Sequence, residues 1–257
     1  MELTEFDQSC IELLDMSPKK WSRACFRSAI NHLRRAEAIM SIDRPMAVFR
    51  CYTAEEEAAS GLMHCLMERR YPNAHRLNPR DHVHKNAVIP LFSILKKFFD
   101  ESLGVHGVKP LIQLREVDGR KQLFLALPMI VNGETLLFLP DPPLNFSVSN
   151  QAKRVSYNKH IDDYVRSRGA KETSKYLRDL ANKRNHVLYA GANGYPGDIN
   201  ITEKFFPACC ARVLAMLRAH LLIQPHSEHQ SYVQDSLDSF LGMLRLVTFD
   251  EQVKPNP

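Results

Sequence analysis

The feature that most limits how this chain can fold is a row of small residues: Ala47, Cys51, Ala54, Ala58, Gly61 and Cys65. Spacings of three and four put them on one face of a helix, and a face without bulk lets another helix approach closely. Asp43-Arg44-Pro45 supplies the start, a capping acid with a proline in the first turn, and the helix is expected to reach about Arg70. Glu55 and Glu57 flank the row on either side, while Glu56 points away from it.

Helical periodicity recurs elsewhere. Ala24, Ala29, Ile30, Leu33, Ala36 and Ile39 predict a helix over Trp21 to Met40. Further helices are expected from about Asn86 to Leu103, Thr202 to Ile223 and Ser231 to Val247. Residues 1–19 read as a weakly amphipathic lead-in, Tyr71 to Arg80 as a loop with two prolines, and Pro90 as a source of a kink or late start. Between Lys109 and Pro140 the pattern changes to short β-like runs divided by Asp118-Gly119 and Asn132-Gly133, both strong hairpin signals. The expected fold is mainly α: a helical bundle forming a single domain over 1–257, with an antiparallel β meander inserted at 109–140.

One stretch fits this scheme poorly. If Lys171 to Ala190 is helical, Leu177, Leu180, Ala181, Val187 and Leu188 share an apolar stripe at about 100° per residue, and Arg184 falls in its middle. Lys175, Arg178 and Lys183 project to the opposite side with Asp179. A guanidinium on an apolar face needs a carboxylate, several carbonyls or an anionic ligand. Glu55 or Glu57 is a candidate partner for Arg184 in a structural ion pair; a phosphate is the other kind of partner.

Charge distribution bears on that choice. Residues 151–184 hold ten Lys/Arg against four acids and net +6, whereas the whole chain nets only +5. A basic tract leading up to a potential phosphate site suits nucleic acid, and Lys175, Arg178 and Lys183 are its candidate contacts; an ordinary solvated helix face is the alternative. The longest apolar run, Leu123 to Val131, is too short to span a bilayer, and no secretory signal opens the chain, so a cytoplasmic location without membrane association is expected. The six cysteines lack paired spacing and read as reduced core residues. Asp81, His82, His84 and His75 form the densest histidine group, yet no His-Glu-x-x-His or Cys-x-x-Cys is present. No metal and no cofactor are expected, and the group reads as a helix-capping turn.

Arg184-Asn185-x-x-x-Tyr189, late in a helix and followed by a turn and another helix, resembles the signature of the HEPN superfamily. Ala54-Glu55-Glu56-Glu57-Ala58 with the later His84-Lys85 turn is similar to its abortive-infection AbiV branch. The resemblance covers 43–103 and 171–225. It implies a homodimer whose paired motifs form a metal-independent endoribonuclease site, in which arginine holds the scissile phosphate and histidine assists attack by the ribose 2′-hydroxyl. Mapped here, Arg184 is the phosphate clamp and Asn185 its polar companion. Tyr189 stands where the family has histidine, and a phenol with a pKa of about 10 is a poorer general base. His186 lies about 200° from Arg184 on a regular helix and serves only from a bent helix or from the second subunit.

The expected function is therefore RNA binding, extending to RNA cleavage, in a prokaryotic defence or toxin system, with room for an unidentified protein regulator. The alternative is a non-catalytic helical scaffold or interaction protein in which Arg184 is a structural ion pair.

Overall fold

A computed structural model of the protein describes residues 3–102, 104, 108–117, 119–147, 149–150, 153–154, 161, 163, 172–173, 175–179, 182, 187 and 202–249. The fold is mainly helical with a small three-stranded antiparallel sheet. In chain order the elements are α1 (Glu5–Met16), α2 (Trp21–Ile39), α3 (Arg44–Glu68), a 3-10 turn (Ala74–Arg76), α4 (His82–Ser102), β1 (Leu111–Val117), β2 (Arg120–Val131), β3 (Glu134–Phe138), β4 (Ser149–Asn150), β5 (Lys153–Arg154), α5 (Phe205–Ile223) and α6 (Ser231–Phe249). Residues 172–173 and 175–179 are helical as well. The chain divides into two compact units. One comprises Met1–Glu68, Asn78–Ala87 and Lys175–His220; the other comprises Arg69–Leu77, Val88–Ser174 and Leu221–Pro257.

The first unit is built around α3. Asp43 caps it, its carboxylate accepting from the Met46 amide at 3.0 Å. Ala47, Cys51, Ala54, Ala58 and Cys65 are buried completely, and the row of small residues does admit a close neighbour. A Cβ built on Gly61 would lie 2.8 Å from two Phe26 ring atoms of α2 and 3.1 Å from the Ser22 carbonyl oxygen. Where α2 begins, the Ser22 amide and hydroxyl donate to Glu68 at 3.0 and 2.6 Å, so a carboxylate from the end of α3 satisfies an orphan N–H of the first turn of α2.

The lead-in contains a helix that its weak amphipathicity did not announce. Thr4 and Asp7 form a capping box, each side chain meeting the other residue's amide at 3.1 Å. Cys10, Ile11 and Leu14 then bury one face of α1. α4 also starts earlier than expected: the Asp81 carboxylate accepts from the Val83 amide at 2.7 Å and the His84 amide at 3.3 Å. Pro90 consequently lies inside this helix.

In the second unit the meander follows the order β1-β2-β3. β2 pairs with β1 from Arg120 to Ala126 and with β3 from Leu127 to Val131. Pro128, which has no N–H to offer a ladder, comes just after that switch. Asn132 and Gly133 join β2 to β3 with φ of 52° and 82°, the double positive φ of a type I′ turn. The same unit holds a buried polar hub at Gln230. Its Oε1 accepts from the Leu144 amide at 2.6 Å, its Nε2 donates to the Leu222 carbonyl at 2.9 Å, and its own amide donates to the Tyr71 hydroxyl at 3.1 Å. Phe99, Phe146 and Tyr232 pack as a ring cluster with centroids 5.0 to 6.2 Å apart.

Candidate functional site

The first unit carries a run of three glutamates on α3, and each meets a different environment. Glu55 retains 5% of its surface and receives Arg212 of α5 at 2.5 Å through both Nε and Nη2. Burial alone would lower the arginine's pKa, but the charge and hydrogen bond of Glu55, joined by Cys209 and Tyr52, together outweigh it and hold the guanidinium above its ordinary value. Glu57 is half-buried. Burial first, then the Glu57 and Glu68 charges, push the Cys25 thiol on α2 up to about 11.

Glu56 corrects the sequence reading. It does not point away from the packed face: it too is 5% exposed. The reason is that α3 is covered nearly all round, with Val48, Ser60, Leu62 and Met63 buried beside the small-residue row, so at this level only the side of Tyr52, Thr53 and Glu57 stays partly exposed. Both carboxylate oxygens of Glu56 lie 3.0 Å from His82 Nδ1, Lys85 Nζ donates at 3.2 Å, and Asn86 Nδ2 donates at 3.4 Å. These three partners are spaced i, i+3 and i+4 along the first turns of α4, which puts them on one face. Ser60, one turn along α3, donates to the Glu56 carbonyl at 2.9 Å and approaches the Pro79 carbonyl at 3.2 Å.

The resulting group is a buried carboxylate shared by an ammonium, an amide and an imidazole. Lys85 is 11% exposed, whereas His82 keeps 40% of its side chain in solvent. A carboxylate that fixes one ring nitrogen and leaves the imidazole accessible is an arrangement suited to proton transfer. Thiol chemistry finds no comparable support, since burial pushes Cys210 up to about 11. Hydrogen bonding to Cys51, followed by burial, raises the Cys209 thiol well above its ordinary range. Among the described residues no three His, Cys, Asp or Glu side chains gather closely enough to hold a metal ion.

Of the motif stretch, Lys183, Arg184, Asn185, His186 and Tyr189 lie outside the described residues, as does any pairing of Arg184 with Glu55 or Glu57. Its flanks are described. Thr173 and Leu177, one turn apart, are fully buried, while Lys175, Arg178 and Asp179 are exposed, which is the phase read from the sequence. Val187 is buried at 6% but sits in a turn rather than in helix, so the regular helix expected up to Ala190 does not include it.

The sequence reading did not single out Glu56, His82, Lys85 or Arg212 as a constellation. The signal for His82, Lys85 and Asn86 was their helical spacing, concealed by setting the start of α4 four residues late. Arg212 and Arg218 stand in the most apolar of the described helices, α5, which is long and apolar enough to cross a membrane by length and composition, although more than half of it is buried inside the protein. Both arginines are engaged within the first unit, Arg212 by Glu55 and Arg218 by Asp7, also at 2.5 Å, so the apolarity of α5 is accounted for by core packing. No family model matches the sequence, and no curated protein or solved structure matches it.

Proposed function

We propose that this chain is an RNA-binding protein of HEPN-like type that cleaves RNA without a metal, acting as a cytoplasmic homodimer in a prokaryotic defence or toxin system. One observation carries the reading. The two stretches that resemble the HEPN pattern are separated in sequence by the meander, yet the three-glutamate segment of α3, His84-Lys85 in the first turn of α4 and the segment beginning at Lys175 belong to one compact unit. In this reading Arg184 clamps the scissile phosphate, Lys175 and Arg178 hold the strand through its backbone charge, and Glu56 with His82 supplies the oriented acid–base pair that Tyr189 is poorly suited to provide.

The test is incubation of the purified protein with end-labelled structured RNA in EDTA, comparing wild type with Arg184→Ala, His82→Ala and Tyr189→Phe. Cleavage that leaves cyclic phosphate ends, falls at least about a hundredfold in Arg184→Ala and leaves that variant folded is the expected result. A folded wild type that neither binds nor cleaves RNA would sink it.

The second reading, a non-catalytic scaffold, is favoured by the Glu55–Arg212 pair, because this core already uses a carboxylate to seat one arginine. If Arg184 does the same, Arg184→Ala strands a buried charge and costs about 3 kcal/mol, which thermal melting separates from loss of RNA binding.

A further inference from the structure

The β2–β3 hairpin is the most conspicuous exposed apolar feature among the described residues. Met129 (40%), Ile130 (78%), Val131 (41%), Leu136 (49%), Leu137 (42%) and Phe138 (48%) all stand in solvent. Residues 129, 131, 136 and 138 alternate with 130 and 137, so both faces of the hairpin are apolar. Together these side chains present roughly 500 Å² of apolar surface, a large part of the about 800 Å² that one subunit contributes to a standard dimer interface. From Leu123 to Pro140 the only charged residue is Glu134, which leaves this segment nothing with which to attract a phosphate backbone.

No described strand pairs with the outer edge of β3. Among the described residues β3 pairs with β2 alone, and its five residues contain no lysine, proline or bulge of the kind that blunts an edge. An edge strand is a template for another strand, and the sequence of β3 suits its own copy. Antiparallel pairing centred on Leu136 sets Leu136 against Leu136, Thr135 against Leu137, and the single charge of Glu134 against Phe138, with no like charges opposed.

We infer that β3 is a self-association edge, through which two copies of this chain join their hairpins into one antiparallel sheet about a two-fold axis at Leu136. The inference stands on the hairpin and is independent of the RNA reading. Its geometry is specific: side chains directly opposite each other have Cβ atoms about 4.5–5.5 Å apart, close enough for small adjustments to allow a disulfide.

The test uses the full chain with Leu136→Cys under mild oxidation. The expected product is a disulfide-linked dimer, mapped by peptide mass spectrometry to residue 136 of both copies, while Thr135→Cys alone fails to link and Thr135→Cys mixed with Leu137→Cys succeeds. In sedimentation equilibrium, Leu136→Lys should weaken self-association at least tenfold relative to wild type, and an equal mixture of Leu136→Lys with Leu136→Glu should restore it. Leu136 is half-exposed, so circular dichroism should show unchanged helix content in each variant. A wild-type mass that Leu136→Lys leaves unaltered would overturn the inference, as would equal linking through Thr135→Cys. Flotation of wild type with neutral phosphatidylcholine vesicles that Leu136→Lys abolishes, without any change in mass, would overturn it in favour of a lipid surface.

Discussion

A carboxylate at 5% exposure keeps its charge only if donors replace the water it has lost. Glu56 has three such donors, and Lys85, itself nearly buried, has Glu56 in return. The pair is costly to break from one side. Glu56→Ala is expected to lower stability by about 3 kcal/mol, because the Lys85 ammonium is then left in a poorly hydrated site without its carboxylate. Replacing both partners, Glu56→Leu with Lys85→Met, should recover most of that loss, since neither charge then has to be desolvated. Urea denaturation of the single and double variants measures this, and equal losses in both would show that the contribution lies in shape rather than charge. His82 offers an independent reading of the same group, because its ring is accessible: His82→Ala should change stability much less than Glu56→Ala while affecting any proton-transfer role fully.

At the scale of elements, the contact between α2 and α3 follows directly from the missing side chain at Gly61. With its Cβ position only 2.8 Å from the Phe26 ring and 3.1 Å from a backbone oxygen of Ser22, Gly61→Ala forces either the ring or the helix to move. The higher helix propensity of alanine, worth at most about 1 kcal/mol, opposes an overpacking cost of about 1–3 kcal/mol. The backbone contact cannot rotate away, so a net destabilisation of about 1 kcal/mol is expected, seen as a lower urea midpoint with an unchanged slope. Phe26→Leu in the Gly61→Ala background should relieve part of it. This contact was legible in the sequence, because small residues at helical spacing have one obvious use. The type I′ turn at Asn132-Gly133 was legible for a similar reason: few residue pairs tolerate two positive φ values. What escaped notice were features whose signal is a single residue. The α1 capping box depends on Thr4 and Asp7 alone; the capping turn at Asp81 was read, but not that the helix begins directly after it. The charged partners of Glu55 and Glu56 come from α5 and α4, distant in sequence, so periodicity along α3 could not name them.

For the whole molecule, the histidines set how the fold responds to acid. Burial, then the charges of Arg50 and Arg35, hold His32 below its ordinary 6.5, and its neutral ring takes a hydrogen bond from Arg50 at 3.5 Å. His84 is lowered by burial, which outweighs Asp81, and its Nδ1 accepts from the Asn78 amide at 3.2 Å, a bond that protonation at that nitrogen removes. His64 is lowered by burial against Glu68 and Glu57. In the second unit, His226 is lowered by burial together with Arg69, against Asp141 and Glu228. Each of these groups binds a proton more readily in the unfolded chain, so its contribution to stability is complete above 6.5 and is lost as pH falls through the lower folded value. Asp7 acts in the same direction further down. Burial would raise its pKa, but the Thr4 and Arg218 hydrogen bonds prevail and hold it below 3.8. Its stabilisation is therefore present above 3.8 and disappears as pH falls through the depressed value. The melting temperature should thus decline on going from pH 7.5 to 5.5, where the carboxylates remain ionised, and decline again below pH 4. Replacing His32 and His84 with glutamine should flatten the first step and leave the second. Arg218→Met should do the reverse, because it removes a partner of Asp7 and touches none of the four histidines. A melting temperature that rises between pH 7.5 and 5.5 would show that the folded protein takes up protons more readily than the unfolded chain, contrary to the lowered pKa of these half-buried rings.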